Sequence, residues 1–314
     1  MYPPALIDLH CDTLTAFTAP GRCQNTLDDP CAALSLSRLP RGVRWCQCFA
    51  IFVPDGLSPE EASTHYRLHQ QSFMRQMALF APRVAPCRTA ADIEAAWGQG
   101  KTAALLTVEN GAALAGDLDR VEILARDGVR MMTLTWNGEN EIGSGHVSDH
   151  GLTVFGKTLI PRMEEAGILV DVSHLNDRGF EDLLKIAQKP FVASHSNARS
   201  VCPHKRNLTD RQIRELAARR CLIGLNYYVD FLREDSRPTV EDLFAHVDHF
   251  LELGAQDCLA LGSDFDGAKL PLWLDCPEKA AGLYACFLDR GYPPALCDQI
   301  FFANALAFFR TNLG

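Results

Sequence analysis

Eight short apolar runs recur along this chain of 314 residues, at 5–9, 46–52, 102–108, 129–135, 168–173, 191–194, 222–227 and 259–263. They are continuously apolar rather than alternating, the pattern of parallel strands buried on both faces. Between them lie stretches of helical periodicity at 59–80, 90–97, 117–126, 155–166, 177–187, 210–219, 240–253 and 277–290. Thr209 with Gln212, and Thr239 with Asp242, read as helix N-caps, while Gly128, Gly167 and Gly254 stand where a left-handed residue ends a helix. A βα unit repeated eight times, with no linker or low-complexity tract, predicts a single (β/α)8 TIM barrel over 1–314. An extra apolar helix at 294–310 packs across the barrel or against a second subunit. A doubly wound open sheet would carry a Gly-rich turn after its first strand, where this chain has His10-Cys11-Asp12.

The charge balance narrows the partners. A formal net charge of −9 and the lack of a basic arm exclude nucleic acid. No apolar stretch approaches the roughly 20 residues that span a bilayer, and the first residues lack the basic region of a signal peptide, so no membrane is expected. The twelve cysteines are scattered, with no Cys-x-x-Cys pair. They read as buried free thiols of a cytoplasmic protein.

In such a barrel the chemistry sits at the C-terminal ends of the strands. There the first strand ends in His10-x-Asp12, the third in Glu109, the fifth in His174 and the sixth in His195. Singly each is weak, since a lone histidine after a strand is more often a packing residue. Together, five imidazole and carboxylate donors at four strand ends converge on one mouth, and these are the donors of catalytic zinc sites. Residues two apart on a strand share a side, so His10 and Asp12 can grip one ion. A carboxylate such as Glu109 can bridge two ions about 3.5–4 Å apart, with His174 and His195 completing the shell of the second ion. Asp264, in Gly262-Ser263-Asp264-Phe265-Asp266-Gly267 at the end of the eighth strand, is the natural base for a metal-bridging water; Asp266 reads as a turn residue. His146 and His150 lie in the loop after the fourth strand, near the mouth. His65, His69, His246 and His249 fall on helices and read as solvated.

Taken in order, Ile7-Asp8-Leu9-His10-Cys11-Asp12, Glu109-Asn110-Gly111, Asp171-Val172-Ser173-His174, Ser194-His195-Ser196, Arg206-Asn207 and the Gly262 to Gly267 run resemble the renal (membrane-type) dipeptidases, a zinc family known as M19 among the amidohydrolase-like barrels. The resemblance runs from Ile7 to about Asn304. It implies two zinc ions, with His10 and Asp12 on one, His174 and His195 on the other and Glu109 between. It also implies Asp264 as acid/base, Arg206 as the holder of the substrate carboxylate, and a homodimer. Tyr228 matches a substrate-pocket tyrosine, with core packing as the alternative. Trp136, in Thr133-Leu134-Thr135-Trp136-Asn137, replaces a family histidine that contacts the substrate carbonyl; an indole N–H can donate a hydrogen bond but cannot carry charge.

The activity expected is hydrolysis of the peptide bond of small dipeptides. A metal-dependent hydrolase of another small amide, lactone or ester is the first alternative, and a metal-binding barrel without catalysis the second.

Overall fold

A computed structural model of the protein describes residues 1–17 and 25–313. Among them are nine parallel strands: β1 (Ala5–Asp8), β2 (Arg44–Phe52), β3 (Val84–Cys87), β4 (Thr102–Glu109), β5 (Val129–Thr133), β6 (Leu169–Asp171), β7 (Val192–Ala193), β8 (Leu222–Leu225) and β9 (Leu259–Leu261). Eight of them close a barrel in the order β1-β2-β4-β5-β6-β7-β8-β9, with β9 returning to β1. Helices follow the strands, as the sequence predicts for a (β/α)8 barrel.

The ninth strand is the difference. β3 pairs with Thr102–Leu105 at the start of β4, and from Leu106 the same edge is taken over by β5, with a register shift at that point. The segment is short and contains Pro86, which has no N–H for a ladder, so periodicity gave no sign of it. Most strands are also shorter than their apolar runs, because the residues at their ends leave the ladder and turn toward the mouth.

Helix boundaries follow their capping chemistry. Ser58 with Glu61, Thr89 with Asp92, and Thr209 with Gln212 form reciprocal capping boxes, each side-chain cap contributing about 1 kcal/mol. Gly128, Gly167 and Gly254 have φ of 104°, 71° and 81°, the left-handed geometry expected of them.

The apolar residues divide by strand parity. One cluster lies between the strands and the surrounding helices, with Leu6, Ile51, Leu106, Ile223 and Leu261 facing outward. The other takes residues from every barrel strand, among them Ile7, Cys48, Leu105, Met131, Leu169, Val192, Leu222 and Ala260. Ala305, Leu306, Phe308 and Phe309 join this second cluster, so the C-terminal helices plug the floor of the barrel. The predicted single helix at 294–310 is in fact Pro294–Asp298, a π-helical turn Gln299–Ala303 and a helix Asn304–Asn312. Asn304 secures the junction by donating to the carbonyls of Gln256 and Leu259.

Two details correct the expectations. Cys31 is disulfide-bonded, whereas ten other cysteines are free and nine of those are buried. His246, expected to be solvated, has no exposure at all. Its Nδ1 accepts from the Ala198 N–H, so its Nε2 carries the proton and donates to the Leu232 carbonyl. Burial pulls its pKa from 6.5 down to about 4. The unfolded chain therefore binds more protons between those two values, and stability that is complete above pH 6.5 is lost as pH falls toward 4. The expected loss from this residue is at most about 3 kcal/mol. Urea denaturation over that range should show a steeper slope in the wild type than in His246→Gln, the remainder coming from other buried histidines; equal slopes would mean that His246 contributes none of it.

Candidate active site

His10 and Asp12 lie just beyond β1, on either side of Cys11, whose parallel bridge to Phe265 ties the segment to the loop after β9. Their side chains meet, with His10 Nε2 3.3 Å from Asp12 Oδ2. Glu109 closes β4 and brings Oε2 to 3.6 Å from His10 Nε2. Its other oxygen, Oε1, lies 2.9 Å from His174 Nε2 and 3.5 Å from His195 Nε2. Asp264 Oδ1 stands 3.9 Å from His10 Nε2. The six side chains expected at the strand ends thus form one cluster, and all are buried.

Tautomers show what the cluster can hold. Ser194 Oγ donates to Asp171 at 2.5 Å, so it must accept the 2.7 Å bond from His195 Nδ1. His174 Nδ1 donates likewise to the side-chain oxygen of Asn137 at 2.9 Å. Both Nε2 atoms are therefore unprotonated, yet they lie 3.0 Å apart and face the same carboxylate oxygen. Two lone pairs and an anionic oxygen at that spacing call for a cation between them. Asp12 Oδ1, buried with no partner, is a further oxygen donor that a cation could engage.

The titration shifts have the same cause. Burial, then repulsion from Asp12, pushes Glu109 up to about 7, and burial raises Asp264. His174 and His195 are held well below the ordinary range by burial first, with Arg206 and His10 respectively next. At His10 burial works downward, but Glu109 and Asp12 prevail and lift it. A buried set of acids that cannot all ionise, beside the His174 and His195 imidazoles held neutral, fits divalent cations well.

The backbone at the site is unusual. His174 and Asp264 adopt φ of 71° and 64°, a left-handed geometry that costs a non-glycine residue about 1 kcal/mol or more. Asp266, expected to hold a turn, accepts from the N–H groups of Ala33 and Leu34 and from Thr13 Oγ1.

A cavity of about 730 Å³ opens over the cluster. A model of the membrane dipeptidase family, peptidase family M19, matches residues 3–312. The chain belongs to this family. Its barrel superimposes on that of a family M19 dipeptidase, a metallo peptidase, with a TM-score of 0.91 at 28% identity, covering 99% of each chain. A metallo peptidase of Rhodobacter sphaeroides, liganded with a phosphinate mimic of L-Ala-D-Ala, also gives 0.91, at 26% identity over 99% of this chain and 100% of that one. Among curated relatives, the dipeptidase tcpJ of Claviceps purpurea is 28% identical over 94% of this chain and 72% of its own length. No helix among the described residues of this dipeptidase is long and apolar enough to cross a membrane.

Around the mouth of the dipeptidase, Trp136 lines the cavity, its ring edge-on to Phe52 at 4.8 Å. Tyr228 also lines it rather than packing in the core, and its hydroxyl donates to Asp230 at 2.6 Å. Arg206 is buried, its pKa lowered to about 10 by burial. Its Nη1 donates to Ser196 Oγ and its Nη2 to the His195 carbonyl, while Nε has no partner. It stands behind the cavity wall rather than on it. His65, expected to be solvated, lines the cavity and bonds the Phe52 carbonyl.

Three supporting residues had no assigned role in the sequence. Asp171 accepts from Thr133, Ser173 and Ser194, and through Ser194 it fixes the His195 tautomer. Asn137 does the same for His174. Asn226 donates to Asp264 Oδ2 at 3.0 Å and orients the carboxylate. Asp171 and Asn226 each sit at or just past a strand end, a position that could have flagged them.

Proposed function

We propose that this dipeptidase hydrolyses the peptide bond of small dipeptides using two divalent cations, zinc being the expected metal. His10 and Asp12 would hold one ion, His174 and His195 the other, with Glu109 between them. The observation that carries this reading is the pair of unprotonated imidazole nitrogens facing each other across Glu109 Oε1. When bound, such ions supply the Lewis acidity that polarises a peptide carbonyl and lowers the pKa of an attacking water. Asp264 takes the proton of that water and returns it to the departing amine, held in place by Asn226. Tyr228 and Trp136 form the walls of the substrate cavity. The dipeptide mimic bound to the Rhodobacter sphaeroides relative supports the choice of substrate.

The position of Arg206 behind the wall favours one rival, a hydrolase of another small amide or lactone that needs no free carboxylate. Release of amino acids from L,L and L,D dipeptides by zinc-loaded and chelator-stripped protein decides between them. Release that requires metal is expected. Tight metal binding without cleavage of any dipeptide, joined to turnover of lactones or other amides, would replace the dipeptide reading.

The ten free thiols support a reducing, cytoplasmic setting, whereas the Cys31 disulfide points to an oxidising one. The C-terminal helix, packed into the barrel floor, lends no support to the homodimer that the resemblance implies.

A further inference from the structure

One stretch of the cavity wall differs in kind from the rest. Elsewhere the lining carries carboxylate, imidazole or ammonium groups, among them Asp12, His204, Asp264 and Lys269. Here it is made of Phe52, Pro54, His65 and Trp136, all partly exposed. The Phe52 and Trp136 rings meet edge to face with their centroids 4.8 Å apart. His65 Nε2 donates to the Phe52 carbonyl at 2.8 Å, so that this acceptor is satisfied. Burial, with His69 next, holds the His65 pKa below the ordinary imidazole value, which leaves the ring uncharged at neutral pH. His69 backs it at 4.2 Å between centroids, fixed in turn by a 2.9 Å bond from its own Nδ1 to the His65 carbonyl. The result is a rigid, uncharged surface of rings.

This surface is tied to the metal-ligand cluster through the backbone. Phe52 is the register partner of Glu109 across β2 and β4, and paired residues of adjacent parallel strands project to the same face. The next residue, Val53, donates its N–H to the Glu109 carbonyl at 2.9 Å. Trp136 precedes Asn137, whose side chain holds the His174 ring, and its own ring centroid lies 6.4 Å from that of His174. A peptide bond held at the cluster would therefore bring a flanking side chain against these rings.

We propose that Phe52, His65 and Trp136 form a specificity slot for a large apolar side chain next to the scissile bond, so that the preferred dipeptides carry a residue such as leucine or phenylalanine. The inference rests on the dipeptidase reading and goes beyond it by naming the side chain selected. Rings and ligand side chain leave water together when they meet, which favours binding. A charged side chain of similar length would lose its hydration there with no partner in exchange. Position 136, where the resemblance places a histidine, thereby gains a role: the indole exchanges a titratable ring for apolar area.

The test is kcat/KM of the metal-loaded protein on two series, X-Ala and Ala-X, with X alanine, leucine, phenylalanine or glutamate. In one of the series leucine and phenylalanine should exceed alanine and glutamate by about 10- to 100-fold, the discrimination that an apolar pocket supplies. The phenylalanine-to-alanine ratio, taken within each variant so that a general loss of activity cancels, should fall about 10-fold in Trp136→Ala and in Phe52→Ala. Trp136→Phe should retain most of it. In calorimetry, a phosphinate analogue bearing the phenylalanine side chain should bind the wild type with a more negative heat-capacity change than its alanine counterpart, a difference that shrinks in Trp136→Ala. Metal content and melting temperature identify a variant that has lost its cluster or its fold, and the other variant then carries the test. An undiminished ratio in either variant, with metal content intact, would overturn the proposal. A wild-type protein that cleaves Ala-Ala yet favours no large apolar residue in either series overturns it too, while leaving the dipeptidase reading standing. Failure to cleave any dipeptide removes that reading and this inference with it.

Discussion

Asp264→Asn is expected to lower kcat for dipeptide hydrolysis by about 10²- to 10⁴-fold, the range lost with a positioned general base. The substitution isolates chemistry from structure for two reasons. Asparagine tolerates the left-handed backbone that Asp264 adopts at φ 64°, where alanine would add strain. Its side chain has the same shape, so its oxygen can still accept the 3.0 Å bond from Asn226. What disappears is the ability to take up a proton. Metal content and the affinity for a phosphinate inhibitor should stay within about threefold of the wild type, a margin of roughly 0.7 kcal/mol. The measurement is steady-state kinetics beside metal analysis and inhibitor binding. A variant that keeps wild-type kcat would assign the base to another group, whereas one that loses its metal would make Asp264 a ligand.

The barrel and the grouping of histidines and carboxylates at its mouth were legible in the sequence because they depend on rules that act locally. An apolar run that ends in a polar residue marks a strand end, and a closed barrel brings all its strand ends to one mouth, so His10, Glu109, His174, His195 and Asp264 could be grouped without knowing any distance. The network behind them depends on contacts far apart in sequence. Ser194 meets Asp171 across 23 positions and Asn226 meets Asp264 across 38, and nothing within either segment announces the partner. Arg206 was legible as a residue type but not in its depth, since the same Lys205-Arg206 pair could face solvent. His246 was legible and misread: with Leu243, Val247 and Phe250 it completes the buried stripe of its helix, a spacing of three and four that should outweigh the polarity of imidazole. β3 escaped because four residues with a proline carry no period.

Gly267→Ala should damage the site more than any other change of a single methyl group. A Cβ on Gly267 would lie 1.9 Å from Asp12 Oδ2 and 2.6 Å from Asp264 Oδ1, well inside contact distance. The obstacle is specific to these carboxylates. At Gly224 and Gly262 an added Cβ would strike the Ser194 carbonyl, at 2.0 and 1.9 Å, so those glycines protect strand packing. At Gly267 the φ is not in the left-handed region, so alanine brings no backbone strain and its methyl simply takes the place of a carboxylate oxygen. Asp12 must then swing away from His10, which breaks the 3.3 Å pairing that sets this end of the cluster. If Asp12 is a metal ligand, the variant should hold its ions at least about 10- to 100-fold more weakly and lose activity in proportion. Its melting temperature should fall by only a few degrees, because Gly267 is exposed at the mouth and the barrel floor is untouched. Metal content after dialysis, set against activity and thermal unfolding, separates the outcomes. Full metal content with wild-type turnover would remove Asp12 from the ligand set, and loss of the fold would make the Asp-Phe-Asp-Gly turn a structural element first.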